Sequence, residues 1–131
     1  MQFQKLDVWK RSFQLAKHIN LDVRGCKDFS FKDQICRSAL SVPSNIAEGE
    51  ERETNAEAAR FLYIAKGSCG ELYTQILLGK EIGYLSEENA DHYLKDSLKH
   101  IKDACRFDQI QKRACQITCP FSRNQDLETR F

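Results

Sequence analysis

Two sets of side chains carry most of the chemistry this sequence offers. Lys5, Lys10, Arg11 and Lys17 crowd the first segment, and Lys95, Lys99, Lys102 and Arg106 recur every three or four residues near the other end. Cations at that spacing line one face of a helix, where each can neutralise a phosphate and release its counterion. A solvated helix face would carry the same residues, so both readings stay open. The second set is Ser38, Ser41, Asn45, Glu48 and Arg52. On a straight helix the first four fall on a stripe about 110° round from the apolar one, beside the core and not opposite it. Hydroxyl and amide groups placed there can bond a neighbouring helix, the backbone freed by Pro43, or a ligand in a groove between subunits. Structural or subunit contact is the main expectation. Glu48 and Arg52 stand in the favoured order for a helical ion pair, worth a few tenths of a kcal/mol if exposed. Between subunits the same pair would set register.

Nothing else in the chain assembles into an enzyme. A carboxylate-bridged di-metal bundle needs two Glu-x-x-His units, and neither His92 nor His100 has a glutamate three positions before it. Cys115 and Cys119 have the spacing of half a zinc site with no second pair to complete it. No glycine-rich phosphate loop or nucleophile elbow is present. Interface carboxylates such as Glu48 and Glu71 are all that an enzymatic reading would have to use. A non-enzymatic protein with no cofactor and no metal is expected.

The 131 residues carry 20 Lys and Arg against 19 Asp and Glu, a formal charge of +1. No global positive field announces a nucleic-acid binder, so any such contact must come from a local patch. One lies at the start: residues 1–24 hold five basic side chains and two acidic ones, after which Glu48, Glu50, Glu51 and Glu53 turn the chain acidic. The opening residues lack an apolar signal core, and no stretch approaches the roughly 20 apolar residues that cross a bilayer. A cytoplasmic protein with no membrane contact is expected. Three of the six cysteines fall at apolar helical positions, so reduced core thiols are expected in place of disulfides.

The elements that must position these groups are helices. Leu6, Trp9, Phe13, Ala16 and Ile19, widened by Leu15 and Val23, predict a first helix over about residues 3–24, closed by Gly25 in a left-handed conformation. Ile35, Ala39, Val42 and Ile46 predict a second over about 31–51, continuous but kinked at Pro43; a restart capped by Asn45 is the alternative. Thr54 and Glu57 form a capping box before Phe61, Ala65, Ser68, Leu72, Ile76, Gly79 and Ile82, giving a third helix over about 55–82. Gly67 and Gly70 on it would let another helix approach closely. Ser86 caps a fourth over about 87–113, with Leu94, Leu98, Ile101 and Cys105 as its seam. Periodicity fades after that, and residues 114–131 read as a loosely held tail. The fold class is all-α, an up-down-up-down antiparallel four-helix bundle in one domain over residues 1–113.

The segment from Gln34 to Gly49, which includes Ser41-Val42-Pro43-Ser44-Asn45-Ile46-Ala47-Glu48, resembles the signature of the four-helix bundle proteins encoded in intervening sequences of bacterial 23S ribosomal RNA genes. Further matches are Phe3, Leu6 and Trp9, the run Phe61 to Ser68 followed by Glu71-Leu72, and Ile82-Gly83-Tyr84-Leu85. Related to that family is the accessory variability protein of diversity-generating retroelements. The resemblance implies a ring-like homopentamer without catalytic activity, whose partners are itself and structured RNA, a reverse transcriptase or a ribosomal component. The chain departs from the family pattern at Glu51, where a glycine is usual before Arg52, and at Tyr73, where an acid often follows Glu71-Leu72. Its near-neutral charge points to the ribosomal branch instead of the strongly basic retroelement branch. Two functions are therefore expected to compete: an oligomeric adaptor for structured RNA, and a protein-binding scaffold with no nucleic-acid role.

Overall fold

The computed structural model describes residues 1–118, with side chains described through His100 and at Lys102, Asp103 and Arg106. A short 3-10 turn, Gln2–Lys5, leads into α1 (Asp7–Asp22), α2 (Phe29–Glu50), α3 (Asn55–Glu81) and α4 (Glu87–Thr118). Among the described residues there is no strand. Each helix packs on the next and α1 closes on α4. With three short connections this is the antiparallel up-down-up-down bundle the periodicity predicts.

The helix ends differ from expectation where local chemistry outranks periodicity. Leu6 is extended (φ −73°, ψ 125°), so the helix proper starts at Asp7, after the 3-10 turn has folded Phe3 back to 5.2 Å from the Trp9 ring. It ends at Asp22, with Val23 (φ −90°) as its last cap, and Gly25 needs no left-handed backbone. Among the described residues only Gly83 has positive φ, at 80°, and it closes α3. Asp28 starts α2 earlier than the apolar pattern does, because its carboxylate accepts the Phe31 amide at 3.0 Å. That bond, together with one from the Tyr84 hydroxyl, holds the Asp28 carboxyl below the usual carboxylate range.

Pro43 sits inside α2 without ending it. Asn45 does not cap a restart; its amide donates to the Ser41 carbonyl at 2.8 Å within the same helix. Thr54 caps α3 as expected, accepting the Glu57 amide at 3.3 Å, and Ser86 accepts the Asn89 amide at 3.2 Å at the start of α4. The fourth helix continues to Thr118, so residues 114–118, Cys115 among them, belong to it and not to a tail. Cys119 and the rest of the expected tail, 119–131, lie outside the described residues.

Two of the four apolar faces differ in part from the expected ones, though Leu15, Ala16, Ile19 and Val23 are buried as expected and Ile101 and Cys105 lie outside the described side chains. In α1 the buried positions are Val8, Ser12, Leu15, Ala16 and Ile19, while Phe13 is exposed and stacks on half-buried Trp9 at 5.1 Å. In α4 the seam is Ala90, Tyr93, Ser97 and His100, with Leu98 turned out. Hydropathy hides both registers because each places polar side chains inside. Ser12 and Ser97 are tolerated there because their hydroxyls donate to the Trp9 and Tyr93 carbonyls of their own helices, at 2.8 Å each.

Close approach between helices falls at glycines other than Gly67 and Gly70, which are exposed with nothing within 4 Å of a Cβ added there. It falls at Gly49, where a Cβ would meet the Ala58 carbonyl oxygen at 3.1 Å, and at Gly79, where it would meet the Phe31 ring at 2.7 Å. These two glycines tighten α2 against α3 at opposite ends of the hairpin.

Candidate nucleic-acid interface

The basic residues on α1 and α4 are placed by the faces those helices bury. With Val8, Ser12, Leu15, Ala16 and Ile19 inside, helical geometry turns Lys10 and Lys17 to the far side, and both are exposed. Burial of Ala90, Tyr93, Ser97 and His100 in the same way turns Lys95, Lys99, Lys102 and Arg106 outward, and all four are exposed. Lys5 is exposed on the preceding 3-10 turn. None of these seven forms an ion pair with a described residue.

Arg11 is the exception. Half-buried, it forms an ion pair with Asp103 of α4, and its Nε donates to the Asp7 carbonyl at 3.4 Å. Its charge is spent on joining α1 to α4 and is not presented to solvent. At the other end of this helix pair Asp22 does similar work: one of its oxygens accepts from the Tyr93 hydroxyl and the Asn89 amide, each at 3.1 Å. Burial first, and then the Asp22 charge and hydrogen bond, push the Tyr93 hydroxyl up to about 12, so it stays a donor. These two joints hold α1 and α4 side by side, with an exposed row of cations on each helix. Nothing in the spacing of Asp22 pointed to Tyr93; pairs so far apart in sequence leave no periodic trace.

The second set of residues meets α3. Ser38 donates to a Glu71 carboxylate oxygen at 3.3 Å, and the Ser41 and Ser68 hydroxyls bond each other at 2.8 Å. Asn45 also donates to the Ser41 hydroxyl, at 3.0 Å. Glu48 and Arg52 form their ion pair, and the Arg52 guanidinium lies 4.7 Å from the centre of the Phe61 ring. Ser38, Ser41 and Arg52 are thus engaged inside the α2–α3 hairpin, as a polar seam flanking its apolar one.

No chemistry-bearing cluster of the catalytic kind emerges. Among the described residues no three His, Cys, Asp or Glu side chains are grouped to hold a metal ion. Cys26, Cys36 and Cys69 are free thiols. Burial pushes Cys69 up to about 12, so it stays protonated and inert as a nucleophile. Among the described residues no helix is long and apolar enough to cross a membrane.

The architecture is that of a small four-helix bundle. Comparison with known proteins places it further. Residues 4–105 match the family of the 23S rRNA-intervening sequence protein, and the chain belongs to that family. Among solved structures it is similar to a protein of unknown function from the S23 ribosomal protein family of Bacteroides thetaiotaomicron VPI-5482, known from a crystal structure at 1.70 Å. The two share 28% identity and a TM-score of 0.72 over 77% of this chain and 97% of the other. Among curated proteins there is no match.

Proposed function

We propose that this protein is a non-enzymatic, cytoplasmic homo-oligomeric adaptor that binds structured RNA through the outward faces of α1 and α4. One observation carries the reading: Lys10 and Lys17 on one helix and Lys95, Lys99, Lys102 and Arg106 on its neighbour all point to solvent without a described ion-pair partner. Cations held by carboxylates contribute little to phosphate binding, whereas unpaired ones release counterions. The family, named for ribosomal RNA, supports the choice of RNA over other polyanions. Repetition of a modest basic face around an oligomer, a pentamer on the family resemblance, would supply affinity through multivalency.

Self-association has its own candidate surface. The outward side of α3 carries exposed Gly67, Gly70 and Thr74, with Leu77 and Leu78 exposed beyond them. Two open glycines beside large apolar side chains form a face on which another helix can pack closely, and this favours the scaffold as the second reading. The deciding experiment is binding of the purified protein, its mass in solution established, to a ribosomal RNA fragment and a scrambled control across a salt series. Binding that weakens steeply with salt, and falls when Lys95, Lys99 and Lys102 become Glu, supports the adaptor. An assembled oligomer that binds neither RNA leaves the protein scaffold.

A further inference from the structure

Between them, α1 and α4 leave an open trough of about 440 Å³ lined by His18, Leu21, Asp22, Asn89, His92 and Tyr93. Its charges are arranged in a definite order. The Asp22 carboxylate is fixed by Tyr93 and Asn89, and the imidazoles of His18 and His92 are exposed on either helix, with His92 Nε2 3.5 Å from the Asp96 carboxylate of its own helix. Lys95 and Lys99 follow His92 by three and seven residues, so they lie on its side of α4 and flank the trough there. A phosphate is repelled by a floor carboxylate and drawn to flanking lysines. A nucleobase has the opposite needs: flat walls to stack on and hydrogen-bonding groups beneath it.

We infer that the trough holds one unpaired guanine of a bound RNA strand, its ring against His18 or His92 and its Watson–Crick edge on Asp22. Asp22 Oδ2 already accepts two hydrogen bonds, while Oδ1 takes none from a described residue. A carboxylate oxygen can only accept. Guanine alone presents two adjacent donors, N1–H and the N2 amino group, on that edge. Adenine and cytosine each set one amino donor beside a ring-nitrogen acceptor, and uracil flanks its single N–H with two carbonyls. The selection is thus made by an acceptor locked in place by two donors, which cannot turn to suit another base. An unpaired base is required, since in a duplex that edge is occupied by the partner strand.

The inference rests on the RNA reading above, and the test separates the two. Fluorescently labelled ten-nucleotide RNAs, all-uridine or with one central guanine, adenine or cytosine, are titrated against the intact protein at fixed salt. About tenfold tighter binding of the guanine strand is expected, in line with one well-made base contact. Asp22→Asn, which keeps the shape but adds a donor, and His92→Ala, on an exposed ring, should each remove that preference while leaving the all-uridine affinity within about twofold. Thermal unfolding checks that both variants are folded. Equal binding of all four strands overturns the guanine site and leaves the basic face standing. If no strand binds, the RNA reading fails, and the trough is probed alone with 5′-GMP and 5′-AMP by following the imidazole proton signals. Shifts at His18 and His92 with GMP only uphold the site; equal shifts or none overturn it.

Discussion

The described residues of this bundle form two buried clusters, one towards each end. At the end formed by the last turns of α1 and α3 and the first turns of α2 and α4, Leu15, Ile19, Val23, Phe31, Ile35, Leu72, Ile76, Leu85 and Tyr93 make one continuous buried cluster. Among the described residues, the cluster at the opposite end comprises Val8, Val42, Ile46, Ala65 and Cys69, with Leu6, Trp9 and Leu62 partly buried against it. That end also holds two small cavities, of about 10 and 20 Å³, sharing Val8, Ile46 and Leu62 as walls. His100 borders the first with both ring nitrogens buried and lacking a partner. The larger described cluster lies at the end that also fixes Asp22 against Tyr93.

The sharpest break in that comparison is a cavity cut into each end. Ile76→Ala removes a side chain with no exposure at all from the full cluster and should cost about 3–4 kcal/mol in chemical denaturation. Val42→Ala in the second cluster should cost about 1 kcal/mol, because fewer buried carbon atoms are removed. Equal costs would mean that the two ends are equally packed.

His100 sharpens the same contrast in the opposite direction. Its environment comprises Arg11 from α1, Cys69 from α3, Asp96, Lys99 and Asp103 from its own helix, and the apolar Val42 and Ile46 from α2. Burial, and then the Arg11 charge, lower its pKa from the ordinary 6.5, against the smaller raising effect of Asp96 and Asp103. Between the folded value and 6.5 the unfolded chain binds the extra proton, so this contribution is complete above about pH 6.5 and is lost as pH falls through the folded value. Replacement by leucine ends the burial of two unsatisfied nitrogens and should stabilise the protein by about 1–2 kcal/mol at neutral pH. His100→Leu should also flatten the slope of stability against pH between 7 and about 5. An unchanged slope would place the titration elsewhere.

The four helices were not equally legible in the sequence. α2 and α3 were the most legible: Ile35, Ala39, Val42 and Ile46 on one and Ala65, Leu72 and Ile76 on the other are buried as expected, while Phe61 is half-buried and Ile82 is exposed just past α3. On α1 the expected Leu15, Ala16, Ile19 and Val23 are buried but Phe13 is not; on α4 Leu98 is exposed, and Ile101 and Cys105 lie outside the described side chains. The buried registers of these two helices include Ser12, Ser97 and His100, which a hydropathy pattern passes over. The outward placement of the two lysine sets survives that difference because their stripes are broad. The Asp22 joint and the Arg11–Asp103 pair depend on which helices become neighbours, and that is decided only by the fold.

Tyr93→Phe tests whether the joint between α1 and α4 adds to the stability of the larger cluster. It removes the hydroxyl that donates to Asp22 and leaves the ring in the main cluster, at an expected cost of about 1 kcal/mol. Loss of guanine preference in the same variant would show that the hydroxyl also orients the carboxylate; a stability change alone would confine it to structure.

The smallest effect should come from the ion pair at the end that holds the second cluster. Glu48 and Arg52 lie in the last turn of α2 and just beyond it, both substantially exposed, and Arg52 also covers the Phe61 ring. Solvent screens the pair, so Glu48→Ala should cost no more than about 0.5 kcal/mol, and less in high salt. Arg52→Ala should cost more, because it also uncovers Phe61 beside the tight approach at Gly49. Unfolding of the two variants at low and high salt separates the parts: the Glu48 effect should vanish in salt and most of the Arg52 effect should persist. If both vanish, the guanidinium acts by charge alone and its position over the ring contributes nothing to that end.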